Sequence, residues 1–141
     1  MTNKIIALRG VSNVGKSTTI KKVYDLLTAK YKDATSEPPF LGVDIRVVLT
    51  INGIKIGIES QGDPSGRLEE SLSLFVKVGC KVIICATRTR GQTVDAVDNL
   101  KQNYEIVWLQ QEYKANASEQ EANNLAMAKK IIMEAEKVIS V

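Results

Sequence analysis

Gly10-Val11-Ser12-Asn13-Val14-Gly15-Lys16-Ser17 sets two glycines, a lysine and a hydroxyl in the spacing G-x4-G-K-S. Each residue type has a chemical reason to stand where it does. The glycines let the backbone close around phosphate oxygens without a Cβ in the way. Successive N–H groups and the N-terminus of a following helix attract negative charge. Lys16 would reach the β- and γ-phosphates of a nucleotide, and the Ser17 hydroxyl would take Mg²⁺. Thr18, one residue on, lies within reach of an α-phosphate. The spacing therefore predicts a phosphate-binding loop made by Gly10, Ser12, Asn13, Val14, Gly15, Lys16, Ser17 and Thr18.

Two further stretches hold groups that could act on a phosphate. Glu59-Ser60-Gln61-Gly62-Asp63 closes a predicted strand, and a carboxylate at a strand's carboxyl end is placed to face a ligand. Glu59 is thus a candidate for the Mg²⁺ side of a site. Asp63 has two readings: it orients water or acts as a base, or it opens a Gly-Asp-Pro-Ser turn. Thr87-Arg88-Thr89-Arg90-Gly91 follows another predicted strand. Arg88 and Arg90 alternate, so both can face one side, where a guanidinium would stabilise charge developing on a γ-phosphate. The plainer reading is two solvated arginines in a loop. Arg67 opens a predicted helix, where a cation is locally unfavourable, consistent with a negatively charged partner.

The elements that must position these groups alternate along the chain. Lys4 to Arg9 is a short apolar run ending at Gly10 and predicts a buried strand. Ser17 to Tyr31 carries Ile20, Val23, Tyr24, Leu27 and Tyr31 at helical spacing, with both tyrosines in the core. Asp33 to Gly42 contains Pro38-Pro39 and predicts a loop. Asp44 to Ile51 and Ile54 to Ile58 alternate apolar residues on either side of Asn52-Gly53, the strongest short-range hairpin signal. Glu59 to Gly66 is a polar loop. Leu68, Leu72, Phe75 and Val76 mark a helix closed by Gly79.

Lys81 to Ala86 predicts a central strand, and Thr93 would cap a helix carrying Val94, Val97 and Leu100. Tyr104 to Leu109 is a further strand that places Trp108 in the core. Ser118-Glu119-Gln120-Glu121 fits a capping box, opening a helix with Leu125, Ala128, Ile132, Ala135 and Ile139 on one face. The order β-α-β-β-α-β-α-β-α predicts an α/β fold. Its sheet is mainly parallel and five-stranded, with one antiparallel strand from the hairpin and helices on both faces.

Composition limits the chemistry further. A length of 141 residues predicts one domain over 1–141, and 44% hydrophobic with 25% charged residues is a folded balance. Histidine is absent, which removes a Ser-His-Asp triad, a Cys-His pair and a His-bearing zinc site. Cys80 and Cys85 are not a CxxC pair and read as buried reduced thiols. A net charge of +3 from 19 basic and 16 acidic residues, with 5% aromatics, does not indicate nucleic acid as a partner. The start has no signal-peptide pattern, and no window approaches the roughly 18 apolar residues of a membrane span. A cytoplasmic protein without a membrane partner is the expectation.

With the phosphate loop at its first strand–helix junction, the chain resembles the P-loop nucleoside triphosphatases, whose loop is the Walker A motif. The resemblance implies a three-layer P-loop fold, ATP or another nucleoside triphosphate as ligand, and Mg²⁺ as cofactor. The hairpin resembles the Ras-like GTPase arrangement, in which D-x-x-G ends the strand. Glu59-Ser60-Gln61-Gly62 then puts Glu59 in the place of Asp, the Gly62 N–H at the γ-phosphate, and Asp63 at the water-positioning residue, with Gln61 beside it. Asp33–Gly42 would be a switch loop, with Thr35 or Ser36 as a metal-sensing hydroxyl. The N-K-x-D motif for guanine is missing after the central strand, so ATP is favoured over GTP.

Arg67, Arg88 and Arg90 also resemble, faintly, the arginines of small P-loop kinases, although the lid insertion is missing. The resemblance implies three readings: a Mg²⁺-dependent nucleoside triphosphatase, a kinase acting on a small acceptor, and a non-catalytic nucleotide-dependent switch. In the first, Ser17 and Glu59 hold the metal while Lys16, Asp63, Arg88 and Arg90 act on the phosphate. In the third, a protein partner would read the nucleotide state; separately, the exposed hairpin offers an edge strand through which two copies could join.

Overall fold

Among the described residues, six strands form one sheet, in the order β2-β3-β4-β5-β1-β6. In a computed structural model they are β1 (Lys4–Arg9), β2 (Thr35–Glu37), β3 (Arg46–Ile51), β4 (Ile54–Glu59), β5 (Val82–Thr87) and β6 (Glu105–Gln110). The helices are α1 (Lys16–Lys30), α2 (Arg67–Lys77), α3 (Gln92–Asp98) and α4 (Ala117–Ile139). The structure describes residues 3–11, 15–37, 44–62, 64, 66–112 and 114–139.

The α/β expectation holds, with one strand more than the five expected. The segment expected as the loop Asp33–Gly42 pairs as β2, antiparallel to β3, with Ser36 opposite Leu49. The remainder of that segment, 38–42, lies outside the described residues. β3 is antiparallel to both its neighbours, whereas β4, β5, β1 and β6 run parallel. The hairpin turns where expected, with Asn52 at φ 54° and Gly53 at φ 77°. Both turn residues therefore take the left-handed conformation that Asn-Gly tolerates.

Side chains alternate across the strands and divide the core in two. Ile6, Leu8, Val47, Leu49, Ile56, Ile58, Val82, Ile84 and Ala86 face α1 and α4. Ile5, Ala7, Ile83 and Cys85 face α2 and α3, meeting Leu68, Leu72, Phe75 and Val97. Gly57 lies on this second face of β4. A Cβ there would stand 2.4 Å from Phe75 Cγ, so the ring occupies the space a side chain would need. No helix among the described residues is long and apolar enough to cross a membrane.

Three local expectations are corrected. Gly91, not Thr93, precedes α3, and Thr93 lies inside the helix, where its Oγ1 accepts from Arg88 N at 2.9 Å. The capping box at Ser118 does not form; Asn116 Oδ1 instead accepts from the N–H groups of Ser118 at 2.8 Å and Glu119 at 3.3 Å. The buried stripe of α4 is centred on Met127, Ala128, Ile131, Ala135 and Val138 rather than Leu125 and Ile132. Trp108 is half-buried on the edge strand β6, where the Arg9 guanidinium lies 4.9 Å from its ring centroid. It packs, partly buried, against the α2–α3 side of the core, as expected of a core-facing residue on an edge strand. Tyr24 and Tyr31 are also half-buried, and both hydroxyls reach polar partners, Ser36 and Glu136.

Candidate functional site

The carboxyl ends of β1 and β5 lie side by side, with Arg9 opposite Thr87. Gly10 N donates to Thr87 O at 3.2 Å, continuing that pairing into the loop. Gly15 takes φ +93°, a left-handed conformation open to glycine, and α1 starts at the next residue. Lys16 is only 7% exposed. Its ammonium donates to Gly10 O, and to Thr87 O at 2.6 Å. A lysine head is thus held on two main-chain carbonyls at the mouth of a helix, where the helix dipole already favours an anion.

Ser17 and Thr18 follow in the first turn, Ser17 half-buried and Thr18 exposed. Ser12, Asn13 and Val14, expected in the phosphate loop, lie outside the described residues, as does Asp63. Gly62 is packed against β5: a Cβ there would stand 2.9 Å from the Ala86 carbonyl carbon. The residue is therefore confined against Ala86. Arg88 is half-buried and Arg90 exposed in the loop after β5.

β5 separates β1 from β4, so Glu59 ends a strand that is not the neighbour of the one leading into the loop. Alternation turns its side chain, like Gly57, toward α2. It is fully buried, and both carboxylate oxygens are engaged. Oε1 accepts from Arg67 Nε at 2.9 Å, Ser71 Oγ at 2.5 Å and Arg46 Nε at 3.5 Å, while Oε2 accepts from Gln61 N at 3.0 Å. Arg46 also ties to Glu70 at 2.8 Å. Arg67, unfavourable in itself at a helix N-terminus, has its carboxylate in Glu59. Burial pushes the Cys85 thiol up to about 12, and the Glu59 charge adds to this. Cys80 is pushed up to about 12 by burial as well. Both cysteines are free and buried, as expected.

A different carboxylate meets Ser17. Ser17 Oγ donates to Asp44 Oδ1 at 2.8 Å, and Ser60 Oγ donates to the same oxygen at 3.0 Å. Ser60 N donates to Ile45 O at 3.0 Å, and Ile45 N donates to Ser60 Oγ at 2.8 Å. This reciprocal pair carries the β3–β4 ladder one step past its last strand residue and holds Asp44 beside α1. Asp44 escaped the sequence reading because it appeared only as the first residue of an apolar strand. Ser36, expected as a metal-sensing hydroxyl, instead shares a 3.0 Å hydrogen bond with the Tyr24 hydroxyl.

A second group of residues missed in the sequence braces the loop from α4. Thr19 Oγ1 donates to Gln111 Oε1 at 3.1 Å, and Gln111 Nε2 donates to Asn124 Oδ1 at 2.8 Å. Gln120 Nε2 donates to the same Asn124 oxygen at 2.8 Å. A Cβ on Gly15 would stand 2.7 Å from that oxygen. The available signal was periodic: Gln120 and Asn124 stand two turns and one turn before Ala128, polar residues on an otherwise apolar stripe.

No family model, curated protein or solved structure matches the chain. What points to phosphate is therefore local to this chain: a glycine-bounded loop, a buried lysine and a helix N-terminus at the carboxyl ends of parallel strands. Ser17 Oγ, Ser60 Oγ and the Asp44 carboxylate are hard oxygen donors, the class that Mg²⁺ takes. The residues present fit that ion.

Proposed function

We propose that the chain binds a nucleoside triphosphate together with Mg²⁺ and hydrolyses it, with ATP favoured over GTP by the missing N-K-x-D. The observation that carries this reading is the seat of Lys16. Its ammonium is nearly removed from solvent and lies on carbonyls of the loop and of β5, at the first turn of α1. Burying a cation beside the positive end of a helix is favourable where an anion is to be received. A polyphosphate is the anion that the spacing G-x4-G-K-S suits.

The chain's own groups divide the work. The loop N–H groups and Lys16 bind the β- and γ-phosphates and stabilise charge that develops there. Ser17 would be a ligand of Mg²⁺, which supplies charge neutralisation across the phosphates when bound. Gly62, confined against Ala86 of β5, would bring its N–H to the γ-phosphate. Gln61 or Asp63 orients the attacking water, and Arg88 or Arg90 supplies positive charge.

The test is phosphate release from ATP in the presence of Mg²⁺, beside a thermal-shift titration with ATP, GTP, CTP and UTP. Binding to the native state alone raises the melting temperature. The expected result is a Mg²⁺-dependent shift with ATP, and phosphate release that Lys16→Ala lowers at least 100-fold. Release at the same rate from a folded Lys16→Ala protein would sink the reading.

A further inference from the structure

We propose that Asp44, and not Glu59, is the carboxylate that holds the divalent cation, directly and together with Ser17. This rests on the triphosphate reading above and names the protein's ligands at that site.

Three observations carry it. The first is coordination capacity. Glu59 is fully buried, with four hydrogen bonds spread over both oxygens. To take a cation it would have to give up one of these partners, and releasing Arg67 would leave a half-buried guanidinium without its counter-charge. Asp44 is half-buried, and the bonds it receives from described residues both fall on Oδ1. Among the described residues, none bonds its Oδ2.

The second is the identity of its partner. Ser17 is the hydroxyl that the G-x4-G-K-S spacing assigns to the cation, and the carboxylate touching it at 2.8 Å is that of Asp44. A serine that donates its proton to Asp44 directs its lone pairs elsewhere, which is the state a hydroxyl needs to ligate a metal. Ser60, donating to the same oxygen, holds the carboxylate in place.

The third is electrostatic. A triphosphate beside Lys16 would meet the Asp44 charge one residue away, at Ser17. Like charges at that range repel unless a cation lies between them. Glu59 poses no such conflict, because Arg67 and Arg46 already neutralise it. Asp44 is therefore the carboxylate whose charge a bound cation would answer.

The experiment measures ATP affinity by calorimetry, with EDTA or with Mg²⁺, for the wild type, Lys16→Ala, Asp44→Asn and Asp44→Cys. The wild type is expected to bind at least 10-fold more tightly with Mg²⁺. In Asp44→Asn that ratio falls toward one, and affinity in EDTA rises because a negative charge has left the phosphate site. A merely structural role would weaken binding under both conditions. Asp44→Cys is expected to prefer Cd²⁺ over Mg²⁺, since a thiolate suits the softer ion. The native cysteines, buried and protonated, do not compete for it. A Mg²⁺ ratio unchanged in Asp44→Asn, or no Cd²⁺ preference in Asp44→Cys, overturns the assignment. Should the wild type bind no triphosphate with either addition, the phosphate reading itself fails and takes this one with it. Binding by the wild type that Lys16→Ala loses keeps the phosphate reading and leaves the decision to the Asp44 variants.

Discussion

Glu59 and Asp44 stand at the same end of the sheet and lead opposite lives. Glu59 is shut between β4 and α2, its charge met by two arginines and its oxygens by a serine and a main-chain N–H. Asp44 lies at the open side of the hairpin, with two hydroxyls on one oxygen. The first arrangement is complete in itself. The second has capacity left over. A carboxylate's use depends on what its neighbours leave unsatisfied, more than on how near a motif it lies in the sequence.

The largest expected effect breaks the closed carboxylate. Glu59→Ala removes the counter-charge of Arg67 and one of the two carboxylates on Arg46, and should cost about 3–5 kcal/mol of unfolding free energy, read by urea denaturation. A loss below about 1 kcal/mol would mean that the cluster is not a structural unit.

Gly57→Ala should come next. The added methyl meets the Phe75 ring and pushes on α2, the helix that carries Arg67 and Ser71 to Glu59. About 1–3 kcal/mol of destabilisation is expected. The ATP affinity ratio between Mg²⁺ and EDTA should stay, because Ser17 and Asp44 lie on other elements. A ratio that collapsed as stability fell would join the two carboxylates into one system.

Asp44→Asn should change stability by less than about 1 kcal/mol, since an amide oxygen in its place can still accept from both hydroxyls. A denaturation midpoint as low as that of Glu59→Ala would contradict the contrast.

The smallest effect concerns carboxylates on the surface of α4. Glu134 is held below the usual carboxylate range by hydrogen bonds from Lys137 and Lys4, and Glu136 by those from Lys30 and Tyr31. A depressed folded-state pKa adds stability above the unfolded value, and that contribution is lost as pH falls through the folded one. Melting temperature should therefore fall on acidification below the ordinary glutamate range. Glu134→Gln should make that fall slightly shallower, as a pH series of melts would read.

The hairpin, the first strand and helix, and the central strand were legible in the sequence because each has a strong local signal. Asn52-Gly53 turns by its own chemistry, and Val82–Thr87 is an apolar run that needs only to be buried. β2 was not legible: Thr35-Ser36-Glu37 is polar, short and followed by Pro38-Pro39, and it becomes a strand only because β3 offers an edge. The same holds for the site. Lys16 and Ser17 could be read from spacing, whereas Asp44 meets Ser17 from 27 residues away, and no local pattern encodes that meeting. The arginine partners of Glu59 were equally hidden. Arg46 sits across the ladder and Arg67 one helix start later.

The two buried thiols make the fold its own stopwatch. With a pKa of about 12, each is ionised at neutral pH in about one part in 10⁵, and the thiolate is the species that reacts. Alkylation of Cys85, in the strand whose last carbonyl receives Lys16, must therefore wait for the sheet to open, while Cys80 waits for the end of the α2–β5 connection. The interval between the two labelling events reports how far opening at the rim runs ahead of opening at the centre. A ligand that stays on the closed form would lengthen the slower time.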